Sequence, residues 1–113
     1  MSAKFGPAGN CESFSRVHKS SLAAPQWIAD FGLDCYEYQC GQGVRVKKET
    51  AVKLGENARA AGISLSLHAP YFINPANPNL DSIMKNNGYV LTSCALADWM
   101  GAERVVVHTG ALM

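Results

Sequence analysis

The chain has 113 residues, of which 48% are hydrophobic and 17% charged, and a formal net charge of +1. This composition suits one folded unit with a modest core and excludes a disordered tail. So balanced a charge gives no global electrostatic footprint for nucleic acid or anionic membrane, so any DNA contact must come from a local arrangement of groups. The start, Met1-Ser2-Ala3-Lys4-Phe5-Gly6, lacks the basic region and apolar stretch of a signal peptide, and no later run is apolar enough to span a bilayer. A cytoplasmic location is therefore expected, with no membrane partner. Cys11, Cys35, Cys40 and Cys94 should then stay reduced. None of them forms a CxxC pair, and they read as small buried or loop residues. Cys40, beside glycines at a strand exit, is the exception to follow.

In chain order, a first strand is expected at about Lys4 to Gly6, then a short helix over about Ser21 to Phe31, with Pro25 placed where only a first turn tolerates it. Three amphipathic stretches then run through a glycine into a short apolar segment: Asp30-Phe31-Gly32-Leu33-Asp34-Cys35-Tyr36, Ala61-Gly62-Ile63-Ser64-Leu65-Ser66-Leu67 and Met100-Gly101-Ala102-Glu103-Arg104-Val105-Val106-Val107. A glycine that stops a helix ahead of a strand has this signature. The clearest helix is Lys47 to Ala61, with Ala51, Leu54, Ala58 and Ala61 on one face and an i, i+4 pair between Glu49 and Lys53. A longer one is expected from Asn77-Pro78 to Met100, with Ile83, Val90, Leu91, Cys94 and Ala97 turned inward. Hairpin signals are missing, so the strands should be parallel and joined by helices. The order is β, α, β, α, β, α, β: one α/β unit over residues 1–113. It is expected to stop short after its fourth strand, leaving an edge and a face to be covered by a missing remainder or by self-association.

In parallel α/β folds ligands gather at the C-terminal ends of the strands. His68 and His108 both stand at such ends. Adjacent strands lie about 4.8 Å apart, close enough for two imidazoles to share one ion, although a lone histidine there is more often a hydrogen-bonded structural residue. The loop after His68, Ala69-Pro70-Tyr71-Phe72-Ile73-Asn74, brings Tyr71 and Asn74 to the mouth. An exposed tyrosine there can stack on bases, whereas Phe72 and Ile73 read as rim cover. The turn Gln39-Cys40-Gly41-Gln42-Gly43-Val44-Arg45 could offer amides and a guanidinium to a phosphate. Gly6-Pro7-Ala8-Gly9-Asn10 is similar in kind, and both also read simply as turns. Lys4 and Glu37, charged within strands, suggest a buried ion pair. His18 has no evident partner and is expected to be exposed.

The segments Phe5-Gly6-Pro7-Ala8-Gly9-Asn10, Tyr36-Glu37-Tyr38-Gln39-Cys40-Gly41, His68-Ala69-Pro70-Tyr71-Phe72-Ile73-Asn74 and Val107-His108-Thr109-Gly110 closely resemble the endonuclease IV family of apurinic/apyrimidinic endonucleases. The likeness runs in register along the whole chain. It implies the N-terminal half, (βα)3β, of a TIM (β/α)8 barrel, an architecture that takes about 250 residues. It also implies a base-excision DNA repair enzyme in which three zinc ions hydrolyse the phosphodiester 5′ to an abasic site in double-stranded DNA. By motif, His68 and His108 would be zinc ligands, and Tyr71 would belong to the loop that enters the DNA at the lesion. Asn74, Gly9, Asn10, Gln39 and Arg45 are the further candidate DNA contacts. Two departures stand out. Thr109 follows the second histidine where many members have proline, and the turn from Gln39 to Arg45 is less basic than in some bacterial relatives. The family's remaining carboxylate and histidine ligands come from later strands. Alone, the chain is expected to be inactive or a weak binder of a single metal. Two alternatives are a sugar isomerase or epimerase of the xylose-isomerase-like barrels and a non-catalytic metal-binding half-barrel that pairs with itself or another chain.

Overall fold

The computed structural model describes residues 2–110. Three parallel strands, β1 (Cys35–Gln39), β2 (Ser64–His68) and β3 (Val105–Val106), form a sheet in the order β1-β2-β3. The helices are α1 (Glu12–Val17), α2 (Ala24–Asp30, entered through a 3-10 turn at Ser21–Ala23), α3 (Lys48–Ala61) and α4 (Leu80–Met100). The expected first strand is present as an extended segment rather than a full strand. The Phe5 and Pro7 carbonyls accept from the Asp34 and Glu37 amides at 2.8 and 3.0 Å, Gly9 donates to the Glu37 carbonyl at 2.9 Å, and Ala8 pairs with Glu37 in parallel. Proline at position 7 has no N–H, which keeps the ladder short. With this segment beside β1, the spatial order follows the chain order, as in the first half of a TIM barrel.

Side chains alternate across a strand. Tyr36, Leu65 and Leu67 are buried against the helices with Ile28, Leu54, Leu96 and Met100, so the core lies between sheet and helix layer. The glycine stops are real. Gly62 and Gly101 cap α3 and α4 in the left-handed region, with φ of 72° and 71°, where a β-carbon is disfavoured.

α3 presents Ala51, Leu54 and Ala58 inward as its periodicity indicates, and Ala61 is half-buried. Lys53 pairs with Glu56 at 3.6 Å, not with Glu49. Both partners are exposed, so the exchange changes little. α4 departs further from expectation. It begins two residues later, with the Asn79 side chain rather than Asn77 capping it by accepting from the Ser82 amide at 3.1 Å. Its buried face is Ser93, Leu96, Ala97 and Met100, whereas Ile83, Leu91 and Cys94 are exposed and Val90 is half-buried. Ser93, Leu96, Ala97 and Met100 follow the i, i+3, i+4, i+7 spacing of one face, and Leu91 and Cys94 lie off it; Ile83 is exposed because the helix also outruns the sheet. Twenty-one residues make a helix of about 31 Å, and five-residue strands cover only about 16 Å. Only the last two turns meet the sheet. Ser93 is tolerated there because its hydroxyl donates to the Tyr89 carbonyl at 2.8 Å.

Three smaller expectations are corrected. Lys4 and Glu37 form no ion pair: Lys4 donates to the Ser64 hydroxyl, and Glu37 accepts from the Gln39 amide at 2.6 Å. α1 was not expected from the sequence. It closes on His18, whose ring stacks on Phe14 at 5.2 Å and meets the edge of Trp27 at 5.7 Å, so His18 is half-buried rather than free. Among the described residues, no helix is long and apolar enough to cross a membrane.

Candidate metal centre

Because the strands are parallel, their C-terminal ends share one rim. Gln39 lies beside His68, and His68 beside Val106. The ladder continues past the strand ends: Cys40 donates to the His68 carbonyl at 2.9 Å, Ala69 to Val106 at 2.9 Å, and Tyr71 to Gly41 at 3.2 Å. Residues 39–41 and 68–71 are thus held side by side, with Val106 beside them.

His68 is half-buried and its tautomer is fixed. Nδ1 lies 2.7 Å from the Ala69 carbonyl oxygen, which can only accept, so Nδ1 carries the proton and Nε2 presents a bare lone pair. That lone pair points at Nε2 of the exposed His108, 3.0 Å away, with ring centroids 4.7 Å apart and planes at 71°. Without a metal this is a hydrogen bond, His108 donating to His68. Tetrahedral zinc with bonds of about 2.0–2.1 Å needs ligand nitrogens about 3.3 Å apart, and the observed 3.0 Å falls only a few tenths short. The pair therefore fits two positions of one ion, with a backbone carbonyl orienting the second nitrogen of His68, as is usual for metal-ligating imidazoles. Among the described residues, no group of three or more His, Cys, Asp or Glu side chains could hold a metal. Two ligands are what this part of the molecule supplies.

The other candidate residues divide. Tyr71 is 60% exposed at the rim, edge-on to Phe72 at 6.0 Å. Phe72 rests on Tyr89 of α4 at 4.8 Å, and Ile73 is buried, so both act as rim cover as expected. Gln39, Gly41, Gly43 and Arg45 line an open hollow of about 360 Å³ at the exit of β1, with Arg45 exposed. The structure gives the remaining candidates internal work. Asn10 accepts from the Tyr36 hydroxyl at 2.7 Å and donates to Ser21 at 3.0 Å, tying the edge segment to β1 and to the turn before α2. Gly9 packs against the Gln39 side chain. Asn74 accepts from the Ala76 amide at 3.1 Å, and its backbone is held by Asn86 of α4. Asn86 itself was not anticipated; the only sequence signal for it is a poor helix former inside an amphipathic helix.

Cys40 sits directly under this rim but is 3% exposed, and burial pushes its thiol up to about 11. A thiol so protonated at neutral pH is neither a ready nucleophile nor a ready ligand.

A family model for the xylose isomerase-like TIM barrel matches residues 25–112. The chain belongs to that family. Among solved structures, the crystal structure of SacUVDE, a UV damage endonuclease, superposes on 90% of this family member with a TM-score of 0.61. At 14% sequence identity that likeness speaks to the fold, and the chain spans 41% of that structure's length. No curated protein matches the chain.

Proposed function

We propose that this family member is the N-terminal half of an endonuclease IV-type DNA repair barrel that cleaves the phosphodiester 5′ to an abasic site with zinc. The observation that carries the reading is the pair of Nε2 atoms 3.0 Å apart at the C-terminal rim, that of His68 left as the bare ring nitrogen because Nδ1–H donates to the Ala69 carbonyl. A UV damage endonuclease among the structural neighbours adds support for DNA as the substrate class. His68 and His108 would hold one zinc. When bound, zinc would supply a Lewis acid that activates water and offsets charge on the phosphate. Tyr71 would stack at the lesion, where an abasic gap leaves an unpartnered base. Arg45 and the amides of the Gln39 to Arg45 turn would meet phosphate oxygens. The rest of the three-zinc ligand set would come from strands beyond β3, so the 113-residue chain alone would not turn over.

The test is incision of an oligonucleotide duplex bearing one abasic site, with zinc present. The 113-residue chain should leave it intact. The same chain extended by a partner half carrying carboxylate and histidine strand ends should cut 5′ to the site. Cleavage by the short chain alone would overturn the incomplete-site reading, and an extended barrel that leaves abasic DNA intact would overturn the endonuclease reading. Sugar isomerisation or epimerisation is the second reading, favoured by the family itself; interconversion of aldose and ketose by the extended barrel, without DNA cleavage, would select it.

A further inference from the structure

The two histidines stand on separate segments, and something must hold those segments at a fixed distance. Among the described residues, hydrogen bonding between the β2 and β3 segments ends at Ala69 and Val106, before His108 is reached. Beyond that point the observed brace is Asn86. Its side-chain oxygen accepts from the Asn74 amide at 3.3 Å, and its Nδ2 donates to the Asn74 carbonyl at 2.7 Å. The carboxamide thus pairs with both backbone groups of one residue, as a neighbouring strand would. Asn74 is in turn pressed against Gly110, two residues past His108. A β-carbon at Gly110 would lie 2.2 Å from Asn74 Oδ1 and 3.1 Å from its Cγ, and the φ of 124° there already disfavours any side chain.

We infer that Asn86 is a positioning residue for the histidine pair, acting through Asn74 and Gly110 to set the His108 segment against His68. Its relevance to metal binding rests on the zinc reading above; the spacing of the rings does not. A half-buried carboxamide rooted in α4 is a rigid support, and loss of an outer-sphere support of this kind typically weakens metal binding about 10- to 100-fold.

The experiment titrates cobalt(II) into the chain, following its visible d–d bands, and records the nuclear Overhauser contact between the His68 and His108 rings without metal. Asn86→Ala and Gly110→Ala should each bind cobalt at least about 10-fold more weakly, with altered bands, and should lose the inter-ring contact. Gly110→Ala leaves α4 untouched and carries the expectation even if Asn86→Ala loosens the helix. Asn57→Ala is the control, because it removes a similar half-buried bond, to the Leu22 carbonyl at 3.0 Å, far from the rim; it should titrate as wild type. Wild-type cobalt affinity and an intact inter-ring contact in both variants would overturn the inference. A wild-type chain that takes no cobalt, yet shows a ring contact that both variants lose, would refute the zinc reading while upholding the positioning role.

Discussion

Gly55→Ala adds one methyl group where α3 crosses the end of α4. The added carbon would lie 2.4 Å from the Met100 carbonyl oxygen, 2.9 Å from its carbon and 3.2 Å from its Cα. All three are backbone atoms and cannot swing aside, so the helices must separate, at a cost of about 1–3 kcal/mol. Alanine returns roughly 1 kcal/mol in helix propensity. The 2.4 Å approach places the strain at the upper end, so a net loss of about 1–2 kcal/mol is expected. Gly88 in α4 supplies the internal comparison: nothing lies within 4 Å of its added carbon, so Gly88→Ala should gain about 0.5–1 kcal/mol. The two variants should therefore melt roughly 10–20 °C apart by circular dichroism, since 1 kcal/mol moves a domain of this size by about 4–8 °C. Met100 leads through Gly101 into the strand before His108, so Gly55→Ala should also shift the His108 ring resonances. If Gly55→Ala melts as high as Gly88→Ala, the close crossing is wrong, and with it the placement of α4 against the sheet.

High pH should unfold the chain early. Burial raises the Cys40 thiol from 9.0 to about 11 and, as the leading cause, also raises Tyr36 and Tyr38. The folded state therefore holds these protons more tightly than the unfolded one. This contribution is whole below about pH 9 and disappears as pH climbs through 11, and Cys40 alone accounts for roughly 2–3 kcal/mol. The urea midpoint should drop steeply between about pH 9 and pH 11, less so in Cys40→Ala; an equal drop in that variant would contradict the assignment. Asn79→Ala should cost about 1 kcal/mol through the lost cap, while Asn77→Ala, outside the helix, should cost less; equal melting points would reverse the corrected helix start. Tyr71→Ala should change stability by under about 0.5 kcal/mol because the side chain is exposed. It should also weaken binding to abasic duplex by about 1–3 kcal/mol in a fluorescence anisotropy titration; undiminished affinity would remove Tyr71 from the DNA surface.

The α/β order, the glycine stops and both histidines at strand ends were readable because each rests on local physics: a left-handed cap at Gly62, apolar alternation at Leu65 and Leu67, turn chemistry after His68. The inward face of α4 was not. Leu91 is more apolar than Ser93, but it lies about 200° round the helix from it, and which face packs on the sheet decides that Ser93 is buried and Leu91 is not. The edge segment reads as a strand until Pro7 removes its donor. The internal partners of Asn10, Tyr36 and Ser21, and the Asn86 carboxamide on the Asn74 backbone, are 11 to 26 residues distant in the chain and carry no local signal. The zinc reading gained a tautomer and a distance from the structure, and neither is written in the sequence.

The most direct test of the histidine pair is nitrogen-resolved NMR of the imidazoles during a zinc titration. Before zinc, His68 should show the Nδ1–H tautomer. On titration, the Nε2 signals of His68 and His108 should move together at one stoichiometry, with His18 unmoved, and His68→Ala or His108→Ala should abolish the response of the other ring. An Nε2–H tautomer at His68, or rings that ignore zinc or respond independently, would contradict the assignment of these two residues to one metal centre.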